Sequence, residues 1–320
     1  MRRIGVLTSG GDSSGMNAAI RSVVRTAVAR GVRVYGFLRG YEGVIEGNLK
    51  ELTRRDVSGI INLGGTIIKT ARSKRFFSKP GRKQAYRTLK DNKIEGLIVI
   101  GGDGSFRGAD IFCREFKFPI IGVPATIDND IVGTDLTLGA DTAVNVVLDA
   151  IDKIRDTATS LERIFVVEVM GRGCGYIALE SALGGGCEEA IIPERKYNIN
   201  KICTSIVEGN LKGKISWIIV VAEGAAKAQD IAEEIKKRTS LETRVTVLGH
   251  IQRGGRPSCR DRILAARFGN YATELLLGRK KAKAVGIQAD KLVALKFKKA
   301  TDNKKWLNTD SYLRLIKILT

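Results

Sequence analysis

Six short segments, apolar almost throughout and each closing on glycine or a polar turn, constrain this chain more than any other feature. They are RIGVLTSGG from Arg3, VRVYGFLRG from Val32, LIVIGGDGS from Leu97, PIIGVPATID from Pro119, RIFVVEVMGRG from Arg163 and SWIIVVAEGA from Ser216. β-Branched residues fill both faces of the pleat, which suits strands buried from both sides. Helical patterns lie between them. AAIRSVVRTAVARG, for example, repeats its apolar residues at helical spacing and ends on Gly31, a suitable C-cap. Buried strands alternating with helices predict an α/β architecture with largely parallel sheets. In such sheets ligands bind beyond the carboxyl ends of the strands, which is where this chain's informative residues fall.

The length of 320 residues fits two α/β layer systems better than one, since single cores rarely grow that large. No apolar run approaches a bilayer span, and MRRIGVLTSGG lacks a secretory apolar region, so a soluble cytoplasmic protein is expected. Five scattered cysteines and a single histidine, His250, form no metal-ligand pattern and read as reduced free thiols. The net charge of +20 admits nucleic acid, an anionic surface or anionic small substrates as partners. Much of the excess lies between Arg279 and Lys305, where lysines alternate with apolar residues and few aromatics occur. That pattern reads as a solvated basic face, with no stacking platform for nucleic acid.

Two glycine-rich turns carry the first chemical signal. Gly10, Gly11 and Asp12 end the first strand and precede Gly15 and a helix; Gly101, Gly102, Asp103, Gly104 and Ser105 end the most apolar strand. Adjacent glycines let backbone amides approach an anion, a helix start adds positive dipole, and an aspartate in such a turn suits Mg²⁺ bridging phosphates. Neither turn is a standard nucleotide fingerprint, for there is no P-loop lysine, and Arg107 stands where a third glycine would be needed. Each alone reads equally well as a plain strand-to-helix turn; two in one sheet favour phosphate.

PATIDND sets Thr126, Asp128 and Asp130 just past another strand. Strand-like alternation would point both aspartates the same way, one to take a proton from a hydroxyl and the other to orient a metal or donor. The alternative is an Asx-type turn in which the aspartates serve the backbone. Phosphoryl transfer also needs positive groups where charge moves, and Arg72, Arg172, His250 and Arg253 lie at strand ends or turns, with Arg163 and Arg244 preceding strands.

GVLTSGGDSSGMNAAIR, IGGDGS, TIDNDI, VEVMGRGCG, GGCEEAIIPE and TRVTVLGHIQRGG, in this order and spacing, resemble the bacterial ATP-dependent 6-phosphofructokinases from about residue 3 to about 290. The resemblance implies two Rossmann-like three-layer domains with the active site in the cleft between them. Their expected extents are 1–138 plus about 252–302 for ATP and 139–251 plus about 303–320 for fructose 6-phosphate. It implies a glycolytic kinase that uses Mg²⁺ and moves the γ-phosphoryl group of ATP to the 1-hydroxyl of the sugar phosphate. Asp128 would be the base, Asp103 the Mg²⁺-linked carboxylate with Asp130 assisting, and Gly11, Arg72, Arg172 and Thr126 would stabilise the moving group. Tyr41, Ser73, Gly102, Gly104, Ser105 and Gly108 fall where the family holds ATP.

For the sugar phosphate the resemblance points to Met170, Gly171, Glu223, His250 and Arg253, with Arg163 and Arg244 delivered from a neighbouring subunit of a homotetramer. Arg21, Arg25, Arg54, Arg155, Gly186, Glu188, Lys212 and Lys214 resemble an effector site, where ADP activates and phosphoenolpyruvate inhibits. Neither nucleic acid nor membrane is an expected partner.

Related pyrophosphate-dependent enzymes carry aspartate at the position of Gly104 and lysine at that of Ala125; two small residues here favour ATP. A pyrophosphate donor, or a non-catalytic regulatory paralogue that binds sugar phosphate, are the alternatives. Ser13 and Ser14 replace a common alanine–proline, which implies a less rigid loop. Lys69 and Thr70 replace glycine–serine, Phe77 replaces a basic residue for which Lys74 or Arg75 could substitute, and Ile215 and Ser216 replace polar or basic effector-region residues.

Overall fold

The computed structural model describes residues 1–301 and 305–320. Positions 302–304 of the basic stretch, and the boundary expected near 302, lie outside the described residues. In chain order the elements begin with β1 (Arg3–Ser9), α1 (Met16–Ala29), β2 (Arg33–Phe37), α2 (Gly40–Glu46), β3 (Leu49–Leu52), α3 (Lys79–Asp91), β4 (Leu97–Gly101), α4 (Asp103–Phe116) and β5 (Ile120–Pro124). There follow α5 (Ala140–Ser160), β6 (Ile164–Val169), α6 (Tyr176–Gly184), β7 (Glu189–Ile191), α7 (Ile199–Leu211), β8 (Trp217–Ala222), α8 (Ala228–Thr239) and β9 (Thr243–Val247). The chain ends with α9 (Cys259–Leu277), β10 (Lys283–Gln288), β11 (Lys291–Lys296), α10 (Phe297–Thr301) and α11 (Thr309–Leu319).

These elements make two compact units. The first comprises Met1–Thr142 and Arg253–Trp306, the second Ala143–Gln252 and Leu307–Thr320. The first holds a seven-stranded sheet in the order β11-β10-β5-β4-β1-β2-β3, parallel except where β10 meets β11 and β2 meets β3. The second holds the four-stranded sheet β7-β8-β6-β9, parallel throughout.

The apolar runs are continuous because each strand serves two cores. In the first unit Ile4, Val6, Ile98, Ile100, Ile121 and Val123 pack under α1 and α9. Their neighbours Leu7, Leu97, Val99 and Ile120 point the other way, into a core with Phe106, Phe112 and Phe297. In the second unit Ile164, Val166, Ile219 and Val221 meet the buried sides of α7 and α8.

The stretch expected to be a solvated basic face proves more ordered. Its alternation is that of a hairpin: β10 and β11 pair antiparallel from Lys283↔Lys296 to Gln288↔Lys291, and Ala284, Val285 and Leu295 are buried. The exposed Lys291 and Lys296 sit on the outermost strand, where charge discourages edge-to-edge pairing. Arg244, expected just before a strand, is the second residue of that strand, β9, which starts at Thr243. Gly31 does follow α1 with a left-handed φ of 71°. Four of the five free cysteines are buried, and burial pushes the Cys113 and Cys187 thiols up to about 12. Among the described residues no helix is long and apolar enough to cross a membrane.

One buried carboxylate fixes the segment that runs from β5 into α5. Asp261, 1% exposed, accepts from the Gly139 and Thr142 amides at 2.8 and 2.9 Å and from the Thr142 hydroxyl at 2.5 Å. Replacing it leaves several buried donors without partners. Asp261→Ala is expected to cost about 2–4 kcal/mol, read as a lowered melting temperature, whereas Asp261→Asn retains part of the bonding and costs less.

Candidate active site

The two glycine turns are neighbours because of the strand order. β1 and β4 pair in parallel from Gly5↔Leu97 to Ser9↔Gly101, yet the chain leaves β1 for β2 on one side and returns to β4 on the other. A crevice opens at the carboxyl ends of strands where the order reverses in this way. Gly10 there has φ 94°, a conformation that favours glycine. A Cβ on Gly101 would lie 2.5 Å from the Ser9 carbonyl oxygen and 2.6 Å from Ser105 Oγ, so the close approach of the strands demands its absence. The α4 helix starts at Asp103, and its first-turn residues form one wall.

Between the turns lies a cleft of about 340 Å³, lined by Gly10, Gly11, Asp103, Gly104, Thr126, Asp128 and Asp130 among others. The aspartates arrive there by a different route from the one expected. Residues 126–130 form a turn, with Asn129 at a left-handed φ of 48°, and not an extended strand. Asparagine tolerates that conformation, and here its side chain donates to the Asp135 carbonyl at 3.0 Å and meets Thr137 Oγ1 at 3.3 Å. The turn brings both carboxylates to one cleft all the same.

Asp130 is the more enclosed of the two. Its carboxylate accepts from the Thr126 hydroxyl, but Oδ1 is buried without a hydrogen-bond partner. Burial, followed by the nearby Asp103 charge, holds its pKa above the ordinary aspartate value. Asp103, the first residue of α4, is half-exposed, accepts from the Gly104 amide at 2.6 Å and pairs with Arg107 at 3.3 Å.

The remaining wall combines expected and unexpected residues. Tyr41 stacks on Phe76 with centroids 3.9 Å apart and donates to the Ser105 carbonyl at 2.8 Å; burial raises its pKa well above the usual phenol value. Ser73 Oγ meets Glu42 at 2.5 Å, and Arg75 is committed to the same carboxylate at 2.6 Å. Phe77, 76% exposed, borders the cleft beside Arg72. Gly108 faces Phe76, and around Gly104 a Cβ would meet nothing within 4 Å. Arg253 reaches back into the first turn, donating to the Asp12 carbonyl at 3.1 Å, and a Cβ on Gly11 would stand 2.6 Å from its guanidinium.

Ser13 and Ser14 are both buried, and Ser14 Oγ bonds the Gly254 and Gly255 carbonyls at 3.1 Å each. Ser14 thus ties the loop where proline would otherwise stiffen it, while the buried Ser13 hydroxyl has no hydrogen-bond partner among the described residues. Sequence reasoning missed Arg82, Arg107, Phe76 and Ile111 as lining residues. Arg107 had a detectable signal, because it stands four residues beyond Asp103 on one helix face.

Other expected residues belong to the second unit. Met170, Gly171 and Arg172 follow β6, Glu223 follows β8, and His250 lies just past β9, all at the carboxyl end of the parallel sheet. Gly171 has φ 141°, and a Cβ there would lie 2.5 Å from the Cys174 carbonyl oxygen. Met170 is buried and donates its amide to Gln252 Oε1 at 3.1 Å. Arg163 and Arg244 sit at the amino ends of β6 and β9, both paired with Glu242. The strand length puts them on the order of 20 Å from Met170–Arg172 within this unit.

Of the effector-like set, Arg155 donates to the Gly185 and Gly186 carbonyls at 2.5 and 2.8 Å, and Glu188 pairs with Lys214 at 2.9 Å. Lys212 caps α7 nearby in sequence, and Arg21, Arg25 and Arg54 belong to the first unit.

Residues 3–276 match the family described as phosphofructokinase. The chain belongs to that family. A phosphofructokinase relative from Clostridium tetani, named ATP-dependent 6-phosphofructokinase, is 56% identical over 293 residues, 92% of each chain. One of the same name from Bacillus pumilus is 54% identical over 312 residues, 98% of each. The solved phosphofructokinase of Saccharomyces cerevisiae superposes with a TM-score of 0.89 at 37% identity; it covers 94% of this chain, which spans only 45% of the yeast chain. A pyrophosphate-dependent phosphofructokinase from Marinobacter aquaeolei superposes at 0.87 with 21% identity over 99% of this chain and 91% of its own, and so shares the fold alone.

Because the Asp103 charge helps to raise Asp130, Asp103→Asn is expected to bring the Asp130 pKa down towards the ordinary aspartate value, though burial keeps it elevated. A carboxyl-carbon NMR titration of the two proteins checks the direction.

Proposed function

We propose that this chain transfers the γ-phosphoryl group of ATP to the 1-hydroxyl of fructose 6-phosphate, yielding ADP and fructose 1,6-bisphosphate. One observation carries the reading: two glycine turns at a strand-order reversal share a single cleft with Asp103, Asp128 and Asp130. Relatives more than half identical to this chain, both ATP-dependent 6-phosphofructokinases by name, support the donor and the acceptor.

In this reading the phosphate chain lies along the amides of Gly10–Gly11 and Gly102–Ser105, where the start of α4 adds positive dipole. Asp128 accepts the proton of the sugar hydroxyl as its oxygen bonds to the γ-phosphorus. The bond from that phosphorus to the β–γ bridging oxygen breaks, leaving the electron pair on ADP. Arg72 and Arg172 balance the charge on the transferring oxygens. Met170, Gly171, Glu223, His250 and Arg253 hold the sugar phosphate.

The residues present fit Mg²⁺. Asp103 is open to the cleft, and Asp130 offers a buried oxygen lacking a partner, both hard donors. Among the described residues no three acidic, histidine or cysteine side chains are arranged to hold a metal ion by themselves, and a cation at Asp103 would take its remaining ligands from phosphate and water. Bound by Asp103 with Asp130 assisting, Mg²⁺ would neutralise charge on the phosphates.

The open space at Gly104, with buried Ala125 close by in the same cleft, supports ATP over pyrophosphate. Arg163 and Arg244, at the far end of their own sheet, are read as completing a neighbouring subunit's sugar-phosphate site in a homotetramer. Arg21, Arg25, Arg54, Arg155, Gly186, Glu188, Lys212 and Lys214 are read as an effector site for ADP and phosphoenolpyruvate.

Steady-state phosphorylation of fructose 6-phosphate with Mg²⁺ and either ATP or pyrophosphate tests the function directly. Turnover with ATP alone is the expected result, and turnover only with pyrophosphate would overturn the donor. Asp128→Asn should lower kcat by ~10²–10⁴ with a smaller change in KM, and unaltered kcat rejects Asp128 as the base. Gly104→Asp should raise the KM for ATP by charge repulsion without unfolding the protein, because its side chain enters open space. For subunit sharing, inactive Asp128→Asn and Arg163→Ala chains refolded together should regain activity that neither has alone.

A further inference from the structure

The amino ends of the strands in the first unit carry a second cleft, at the opposite end of the sheet from the glycine turns. Its volume is about 610 Å³, and it gathers Arg2, Arg3, Arg33, Lys90, Lys93 and Lys117. They come from four separate places: the start of β1, the start of β2, the end of α3 with the turn after it, and the end of α4. Only one carboxylate lines this cleft, Glu95, and it is occupied by the backbone amides of Arg2 and of Arg3, the latter at 3.1 Å.

Arg3 is partly committed, donating to the Asn92 carbonyl at 3.2 Å and lying over the Tyr35 ring at 5.8 Å. The Arg2 charge acts on Glu95, but among the described residues none of Arg33, Lys93 and Lys117 forms an ion pair. Lys93 and Lys117 also hold left-handed backbone, at φ 56° and 54°, just past the ends of α3 and α4. Glycine is favoured at such positions, and lysine is disfavoured there by its Cβ. Lysines at helix carboxyl ends do complement the helix dipole. That effect fades within a turn and gives no reason for Arg2 and Arg33, which belong to the strand side.

We propose that this cleft binds an oligophosphate chain, either free inorganic polyphosphate or the phosphate tail of a nucleoside polyphosphate. Several unpaired cations spread around one concavity suit a ligand whose charges are themselves strung along a chain. The aromatic residues do not offer a platform for bases: Tyr86 stacks on Phe116 with centroids 4.6 Å apart, and Lys90 lies 5.6 Å from the Tyr86 ring centre. The site uses none of the residues assigned to phosphoryl transfer, and it accounts for part of the chain's basic surplus.

The test titrates inorganic tripolyphosphate into the full-length wild type and into Lys93→Gly/Lys117→Gly, followed by calorimetry at low salt. Glycine relieves the left-handed backbone at both positions, so the variant keeps its fold, which thermal melting verifies. Arg33→Glu, exposed at the start of β2, removes charge independently. The expected result is a tripolyphosphate site that each variant weakens by about tenfold or more, with the KM for ATP unchanged. Equal binding in wild type and variants, no binding in the wild type, or a parallel rise in the KM for ATP in the phosphorylation assay overturns the proposal. Repeating the titration with ATP separates the sources: a variant-sensitive component with tripolyphosphate alone means a free inorganic chain, and one with both ligands means that a nucleotide's tail suffices. A variant-sensitive component seen only with a short DNA duplex would assign the cleft to nucleic acid and sink the idea.

Discussion

The parallel pairing of β1 with β4 is the constraint on which the candidate active site depends. It runs to the last residue of each strand, Ser9 against Gly101, and so delivers both glycine turns to the same end of the sheet. The approach is close enough that one added methyl at Gly101 would collide with the Ser9 carbonyl and the Ser105 hydroxyl. Backbone amides can surround an anion only where side chains are missing, and here the same glycines permit the strand packing and open the crevice. The hydrogen bonds from Ser105 to the Ser9 carbonyl and from Thr70 to the Gly10 carbonyl then tie the neighbouring loops to these turns.

Around that frame the electrostatics divide the first unit along its strands. The carboxyl end collects Asp103, Asp128 and Asp130, with Arg72 and Arg253 close by, a mixture suited to moving a charged group. The crowding of like charge shows in Asp130, whose pKa burial and Asp103 raise together. The amino end collects cations with little to offset them. Charge of this kind is cheap where water can reach it, and two of its lysines, Lys93 and Lys117, hold left-handed backbone just past helix ends.

Much of the fold was legible because burial on both faces leaves a plain mark in sequence. β1, β2, β4, β5, β6 and β8 are each near-continuous apolar runs, and the helix from Met16 to Ala29 shows its period openly. The short strands β3 and β7 left no such mark, and the polar start of β9 put its first residues, Thr243 and Arg244, ahead of the strand and not within it. The β10–β11 hairpin was hidden by its lysines, since alternation at a sheet edge looks like a solvated face when the buried partner is unknown.

The amino-acid sequence by itself determined the α/β class, the two glycine turns, the PATIDND carboxylates and membership of a recognisable family, because these rest on local composition and on spacing along the chain. Tertiary structure alone decided which of these features meet. The reversal of strand order between β1 and β4 is a long-range pairing that no local pattern encodes. The turn at Asn129 overrode the strand alternation that would otherwise have aimed Asp128 and Asp130, because its side chain found partners at Asp135 and Thr137. Arg82 entered the cleft wall, and the amino-end cations converged, only when distant segments packed against one another. Side-chain convergence is a property of the folded backbone in three dimensions, and residue spacing in one dimension constrains it weakly.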